Sequence, residues 1–300
     1  MIRYNILKNE TAAKQFIDGI KLLKNPQANP WPNNPGLSLY DFFVYWHVQG
    51  MWFLTPPRQR SRTAAHTGPV FLPWHRYYLL TLEAELQRVL NDQNFRLPYW
   101  DWGTDAQLND PQRSALWDPT LMGQFVSADW LVRVEDTPRS TGGLSKADPP
   151  RQLRRSFDPT YTMASTTVIR QMIRNQTTYD EAPYNHEGGG FRLALEYGGG
   201  LHGTVHMWVG GDTGDMSSGA SPNDPVFFLH HCNIDRIWAA WQKVNATQQY
   251  VPGPDAPNDL LFHRLNDQMY RFDGQPSARP ADMLDVSGLY KYDTFADLTL

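Results

Sequence analysis

Histidines in apolar segments constrain the fold of this chain more than any other feature. Of its nine histidines, seven lie in four short stretches, three of which have the apolar pattern of buried helices. An imidazole buried without partners costs free energy, because its nitrogens lose their hydrogen bonds to water. A shared metal ion would satisfy several imidazoles at once. The seven residues are His47, His66, His75, His202, His206, His230 and His231.

The first two predicted helices have clear starting signals. The first is an amphipathic segment over residues 5–23, and we expect it to begin between Asn9 and Thr11. The second follows the loop NPWPNNPGLS, where Ser38 and Asp41 have the spacing of a capping box. This second helix runs through DFFVYWHVQGMWF and carries one of the seven histidines.

Two further helices are predicted from apolar residues at helical spacing. The third runs from about Pro73 to residue 90 and includes His75 on its apolar stripe. The fourth opens at SPNDP, with Asn223 or Asp224 as the N-cap and Pro225 as the first helical residue.

The rest of the chain is rich in proline, aspartate and glycine. Residues 103–163 and 248–300 are expected to be irregular, with at most short strands such as 269–272. The predicted fold class is mainly α: an antiparallel four-helix bundle core with long irregular loops and few short strands. We expect one domain over residues 1–300, whose part from about residue 248 is mostly loop or short strand and is not a separate shielding domain.

Composition excludes several classes of function. A net charge of −4 and a pI near 6.1 give no basic surface for nucleic acid, and no long apolar run predicts a membrane span. The N-terminus lacks the features of a signal peptide, so a cytoplasmic protein is expected, with export alongside a partner protein left open. The one cysteine, Cys232, excludes an internal disulfide.

The histidines fall into two groups along the chain, and each group offers three inward-facing imidazoles. His202 and His206 are four residues apart, so both rings can reach one point beside a helix, and His231 lies on the core stripe of the last helix. No Glu-x-x-His pair accompanies them, which argues against a carboxylate-bridged iron or manganese site. Ligand sets made of neutral imidazole suit copper and zinc, and we expect copper with oxygen chemistry rather than zinc hydrolysis.

Three separated segments resemble the copper-binding signatures of type-3 copper proteins, and bacterial tyrosinases in particular. They are FLPWHRYYLLTLE around His75, the pair His202 and His206 with the WVGG that follows, and SPNDPVFFLHHCNIDRIWAAWQ around His231. The resemblance extends from the N-terminal segment to about Gln242. It implies two copper ions: CuA bound by His47, His66 and His75, and CuB bound by His202, His206 and His231.

The resemblance also implies roles for neighbouring residues. His230 is expected to lie behind the ligands or to pack in the core. Asp235, one turn beyond His231, is expected to anchor a neighbouring ring or chain segment or to form a buried ion pair. Phe227, one turn before His231, resembles the aromatic residue that overhangs the copper site and is also a plausible core residue.

The activity implied by the resemblance is oxidation of phenols by O2. An o-diphenol becomes an o-quinone, and a monophenol is first hydroxylated at the ortho position. Strong monophenol activity in tyrosinases goes with an asparagine after the first CuB histidine, which holds a proton-accepting water together with a glutamate. Here that position is Gly203 and the candidate glutamate is Glu196, so weak monophenol hydroxylation is expected. Substrate choice is expected to depend on Met207, on Phe227 and on the loop before Asn223, with Ser218 near the CuB rim.

Departures from the family pattern carry further expectations. Many relatives attach a CuA histidine to a cysteine, but Ala64 stands two residues before His66, so no such crosslink is expected. The segment LYKYD resembles the tyrosine motif that closes the catalytic domain, and no shielding domain is expected after it. Some bacterial relatives need a small helper protein for copper loading, and the sequence leaves open whether this chain does.

Three alternatives to a phenol oxidase remain open from the sequence. An O2 carrier resembling the haemocyanins would use the same six histidines without admitting a substrate. An o-aminophenol oxidase would use the same centre on a nitrogen-bearing ring. A zinc hydrolase would use imidazole ligands without oxygen chemistry.

Overall fold

The computed structural model describes residues 1–56, 62–136 and 143–299. These residues form nine α-helices and four β-strands. None of the described helices is long and apolar enough to cross a membrane. The helices are α1 (Glu10–Lys24), α2 (Leu39–Trp52), α3 (Phe71–Leu90), α4 (Trp102–Asp105), α5 (Thr166–Asn175), α6 (Gly190–Tyr197), α7 (His202–Gly210), α8 (Val226–Val244) and α9 (Ala296–Thr299). The strands are β1 (Ile2–Arg3), β2 (Leu131–Glu135), β3 (Ser145–Gln152) and β4 (Lys291–Tyr292).

Helices α1 and α2 begin where local capping signals predict. The Asn9 side chain accepts a hydrogen bond from the Ala12 N–H at 2.9 Å. Ser38 and Asp41 form a complete capping box, in which each side chain bonds the backbone N–H of the other residue. Both predicted starts are confirmed, because these caps depend only on residues within one turn.

The starts of α3 and α8 differ from the predictions. Helix α3 begins at Phe71, two residues before Pro73. For α8 the prediction was wrong by one position: Pro225 is the N-cap and Val226 the first helical residue. The Asp224 carboxylate still accepts the Val226 N–H at 3.0 Å, but it does so from the position before the cap. The preceding residues, Ser221–Asn223, form a turn of 3-10 helix instead of leading straight into α8.

The helices that carry the histidines pack around an aromatic core. Trp46 of α2 lies edge-on to Trp74 and Tyr78 of α3, with ring centroids 5.7 and 5.2 Å apart. Tyr78 in turn stacks on Phe228 of α8 at 5.8 Å. On the outer side, α1 packs closely on α3, where a Cβ added at Gly19 would lie 2.8 Å from Leu86. The predicted mainly helical core is therefore confirmed.

The strands are few and short. β1 pairs in parallel with β4, and β2 pairs antiparallel with β3. The β2–β3 hairpin lies inside the segment 103–163, which the sequence indicated as mostly loop. The predicted strand at 269–272 is wrong. Met269 makes an isolated backbone hydrogen bond to Ala278 at 3.0 Å, and its carbonyl accepts from the Ser277 hydroxyl, so the segment is held without a strand ladder.

Asp235 joins the two ends of the chain to the helical core. Its buried carboxylate accepts hydrogen bonds from Arg3 of β1 and Arg76 of α3. The hydroxyls of Tyr290 and Tyr292, in the LYKYD segment, donate to the same carboxylate. Both arginines are fully buried. This ion-pair network fixes β1 and β4 against α3 and α8.

Candidate metal centre

The first three predicted histidines lie together. His47 comes from α2, His75 from α3, and His66 from the loop between them. Their ring centroids are 4.8 to 5.8 Å apart. One ring nitrogen from each of the three lies within 4.8 Å of the others. We call these three residues the first cluster.

The later histidines form a second cluster. His202 and His206 lie one turn apart on α7, and α8 contributes His230 and His231. The Nε2 atoms of His206 and His231 face each other at 3.2 Å. Two imidazole lone pairs repel at that distance unless a proton or a cation lies between them. We call these four residues the second cluster.

The two clusters face each other across the helical core. The rings of His75 and His231 are stacked, with centroids 4.3 Å apart. The rings of His66 and His202 are 5.8 Å apart. The two clusters are therefore parts of one centre and not separate sites.

His231 and His230 occupy different positions in the second cluster. His231 lies on the side of the second cluster that faces the first, where it contacts His75 and Phe227. His230 is on the far side, stacked against His202 at 5.5 Å and near Trp102. This placement favours His231 as the third ligand of the second cluster, in agreement with its predicted position on the apolar stripe of α8.

Backbone carbonyls orient four of the imidazoles. A carbonyl can only accept, so each Nδ1 that bonds one carries the proton and leaves Nε2 free to act as a ligand. The pairs are His47 with Gly219 at 2.7 Å, His75 with Phe71 at 2.8 Å, His202 with Glu196 at 3.3 Å and His206 with Met216 at 2.7 Å. Among the described residues, the Nε2 atoms of His47, His75 and His202 are buried with no hydrogen-bond partner.

Burial also keeps these imidazoles neutral. It lowers the pKa of His47 to about 3 and that of His206 to about 4. The pKa values of His66, His75 and His231 are likewise lowered well below the usual value, first by burial and then by neighbouring histidines. Neutral imidazole is the form that binds metal ions, and it suits copper. The unpartnered Nε2 atoms and the neutral rings therefore fit a pair of copper ions.

A cavity of about 540 Å³ reaches both clusters. Several predicted site residues lie on its wall, namely Glu196, Gly203, Met207 and Ser218. Tyr197, whose side chain is half exposed, lies at its mouth. The cavity therefore connects the centre with solvent.

Two predicted pocket residues lie elsewhere. Asn223 is fully buried behind the wall, where its amide donates to the Val134 carbonyl at 2.8 Å. Phe227 is also fully buried and lies between the clusters, 4.1 Å from the His231 ring and 4.8 Å from the His47 ring. Neither is among the described residues that line the cavity.

Glu196 is a buried carboxylate at the cavity wall. One oxygen accepts the Thr67 N–H at 2.6 Å, and the other accepts from Arg192 at 3.1 Å. Burial raises the pKa of Glu196 to about 7, although Arg192 opposes this shift. At neutral pH this carboxylate can therefore exist in both its protonated and its ionised form.

The sequence did not reveal several residues near the centre. Met51, Trp52, Asp136 and Met216 all line the cavity. Asp136 contacts residues 83 and 84 positions away in the sequence. No local pattern marks such a contact, so only the folded chain reveals it.

Comparison with known proteins agrees with the geometry. A family model described as the common central domain of tyrosinase matches residues 37–244. A tyrosinase from Streptomyces lincolnensis is 38% identical over 262 residues, which cover 85% of this chain and 89% of that protein. Grixazone synthase from Streptomyces griseus is 34% identical over 85% of this chain and 90% of its own length.

Solved structures show the same fold. A polyphenol oxidase from Thermothelomyces thermophila matches with a TM-score of 0.69 at 20% identity, covering 98% of this chain and 88% of that chain. A functional unit of octopus hemocyanin matches with a TM-score of 0.65 at 21% identity, covering all of this chain and 70% of that chain. This chain therefore belongs to the tyrosinase family, whose members are type-3 copper proteins.

Proposed function

We propose that this protein oxidises phenols with O2 at a binuclear copper centre. The observation that carries the proposal is the pair of facing histidine clusters, in each of which one ring nitrogen per histidine lies within 4.8 Å of the others, in a chain of the tyrosinase family. The proposed ligands are His47, His66 and His75 for one copper ion, and His202, His206 and His231 for the other.

The protein and the metal have separate tasks in this proposal. Two bound copper ions would supply O2 binding and electron transfer from the phenol, with oxygen reduced to water. In this proposal the side chains of the cavity hold the phenol ring and shield the copper centre from solvent. Met51 and Met207 provide apolar contact area on the cavity wall. The backbone carbonyls that accept from His47 and His206 fix the orientation of these two imidazole rings.

Glu196 is the proposed acceptor for the phenol proton. It lines the cavity, and with a pKa of about 7 it is ionised in part of the molecules at neutral pH. Gly203 beside it provides no side-chain acceptor to hold a bridging water. We therefore infer that o-diphenols are oxidised efficiently and that monophenols are hydroxylated slowly.

An oxygen carrier is the competing function. The likeness to the hemocyanin unit concerns the fold alone, at 21% identity. The cavity favours an enzyme, because a volume of about 540 Å³ can admit a single aromatic ring to the clusters. Four relatives named tyrosinase at 37 or 38% identity support the same choice.

Turnover by the copper-loaded protein tests the proposal. Oxygen consumption and quinone absorbance are followed with catechol, with tyrosine and with o-aminophenol as separate substrates. We expect rapid quinone formation from catechol and slower reaction of tyrosine after a lag. Reversible O2 uptake with no catechol turnover would instead identify a carrier, and preference for o-aminophenol would identify an aminophenol oxidase.

Two further expectations from the sequence stay predictions. One is that residues 1–300 form a single domain. The other concerns a copper-loading helper protein. If the purified apoprotein takes up two copper ions from a copper salt and becomes active, no helper is required.

A further inference from the structure

One short loop orients an imidazole in each cluster. The carbonyl of Met216 accepts from His206 at 2.7 Å, and the carbonyl of Gly219 accepts from His47 at 2.7 Å. The two carbonyls are only three residues apart in the segment 215–219. This segment therefore provides one ring partner to each cluster, Gly219 to the first and Met216 to the second.

Asp136 holds one end of this segment. Its carboxylate accepts the Gly219 N–H at 2.8 Å and the indole N–H of Trp52 at 2.7 Å. Trp52 is the last residue of α2, the helix that carries His47. Asp136 thus joins the helix that presents His47 to the loop that orients its ring.

The position of Gly219 is closely constrained. A Cβ added there would lie 2.8 Å from the Asp136 carboxylate, so a side chain at this position would require that carboxylate to move. The peptide group that follows Gly219 is fixed as well, because the Ala220 N–H donates to the Ser218 hydroxyl at 3.1 Å. The carbonyl that His47 bonds therefore has little freedom to rotate while Asp136 holds the loop.

Arg151 holds the other end of the segment. It donates to both carboxylate oxygens of Asp215, at 3.1 and 2.6 Å, and to both oxygens of Glu135, at 2.6 and 2.9 Å. Asp215 also accepts the Arg154 N–H at 2.8 Å. Asp215 immediately precedes Met216, whose carbonyl orients His206.

Both anchors come from the β2–β3 hairpin. Asp136 directly follows β2, and Arg151 lies on β3, where it pairs with Glu135 of β2. The hairpin provides no imidazole of its own to either cluster. Its hydrogen bonds toward the centre go to residues 215–219 and, from Asp136, to Trp52 at the end of α2.

We propose that Asp136 and Arg151 are positioning residues for the copper centre. Asp136 acts through Gly219 on His47, and Arg151 acts through Asp215 and Met216 on His206. This inference rests on the proposed copper function. Partners that orient ligand imidazoles typically change metal affinity by about 10- to 100-fold.

Copper retention in Asp136→Asn tests the proposed role of Asp136. An asparagine offers a single oxygen, so the Gly219 N–H or the indole N–H loses its acceptor. In the copper-loaded variant exposed to a chelator, we expect one copper per chain to leave about tenfold faster than in the wild type. The remaining uncoupled Cu(II) gives an electron paramagnetic resonance signal that the coupled pair lacks. Thermal unfolding of the apoprotein checks that the variant folds.

The matched control is Asp118→Asn. Asp118 makes the same kind of contacts, accepting the Thr120 N–H at 2.8 Å and the Thr120 hydroxyl at 2.7 Å, on an exposed turn outside both clusters. We expect this variant to release copper at the wild-type rate. Equal release from Asp118→Asn and Asp136→Asn would overturn the role of Asp136.

Arg151→Lys tests the proposed role of Arg151. It also remains available as a test if Asp136→Asn does not fold. A lysine keeps the charge but cannot join Asp215 and Glu135 with paired hydrogen bonds. Each change is combined with His231→Gln, which leaves only the first site, or with His75→Gln, which leaves only the second. We expect Asp136→Asn to speed copper loss from the first site and Arg151→Lys from the second.

The outcomes separate this inference from the proposed function. A wild type that binds two copper ions while both variants retain them normally would overturn the positioning roles and leave the function intact. Effects that do not depend on which site remains would also overturn them. A wild type that binds no copper would overturn the proposed function and this inference with it.

Discussion

At position 203, an added side chain would enter the cavity and not the packed core. Gly203 lies in the first turn of α7 and lines the cavity wall. A Cβ placed there meets a single neighbour, the Glu196 carbonyl oxygen, at an ordinary contact distance of 3.6 Å. The glycine is therefore not required by packing, and its consequence is chemical: position 203 provides no side-chain acceptor.

Gly203→Asn is expected to raise monophenol hydroxylation relative to diphenol oxidation. An asparagine amide can hold a water near Glu196 and complete a route for the phenol proton, and proton transfer by a positioned group contributes about 100- to 10,000-fold to catalysis. The ratio of tyrosine to catechol turnover measures the effect. The control is Gly203→Ala, which adds the Cβ without an acceptor and should leave the ratio unchanged. An unchanged ratio in Gly203→Asn would show that the phenol proton leaves by another route.

At the scale of single elements, helix α2 depends on its first turn. Ser38 and Asp41 cap it, and Asp41 is also paired with Lys24 of α1. His47 follows two turns later, so fraying of this end would disturb the first cluster. The cap thus links a local sequence signal to the metal centre.

Ser38→Ala is expected to lower the free energy of unfolding by about 1 kcal/mol, because the Asp41 N–H loses its acceptor. Denaturant unfolding measures the change. Ser165→Ala is the matched control, since Ser165 occupies the N-cap of α5 without a side-chain capping bond. Equal losses in the two variants would mean that the capping box contributes nothing specific.

Elements governed by neighbouring residues could be predicted from the sequence. Asn9 and Ser38 cap their helices as expected. The four-residue spacing of His202 and His206 predicted that both rings reach one point, and both lie in the second cluster. The strand expected at 269–272 does not form. Met269 instead makes hydrogen bonds with Ser277 and Ala278, and the local sequence pattern does not predict these contacts.

Contacts between distant residues could not be predicted. The carbonyls of Gly219 and Met216 carry no sequence signal, since every residue has a carbonyl and only the fold decides which imidazole it meets. Asp136 is one of several aspartates in the segment 103–163, which the sequence predicts to be irregular. Asn223 was expected at the pocket because it lies near the ligands in sequence, but its side chain bonds β2 instead.

At the scale of the whole molecule, Asp235 holds the chain ends on the core. Burial opposes its ionisation, but Arg76 and Arg3 outweigh this effect, so the pKa of Asp235 lies below its usual value. A carboxyl with a lowered pKa stabilises the fold above the pKa it has in the unfolded chain, about 4. That contribution is lost as the pH falls through the pKa in the folded protein.

Asp235→Asn is expected to destabilise the apoprotein by about 3 to 5 kcal/mol at pH 7, because the buried Arg76 loses its carboxylate partner and the buried Arg3 is left with Glu83 alone. The difference from wild type should begin to shrink below about pH 4, where this carboxyl becomes protonated in the unfolded chain, and should be lost once the pH falls through the lower pKa of Asp235 in the folded protein. Denaturant unfolding at several pH values measures it. The control is Asp255→Asn, an exposed aspartate in the loop after α8 that should show almost no difference. A difference independent of pH would contradict the ionic role of Asp235.

The central claim is that two histidine clusters each hold one copper ion. Copper content per chain, measured after reconstitution and removal of free metal, tests it most directly. We predict two copper ions in the wild type, about one in His75→Gln and in His231→Gln, and two in His230→Gln, whose ring lies behind the ligands. A wild type that retains one copper or none, or a His230→Gln variant that loses copper while His231→Gln keeps both, would contradict the account.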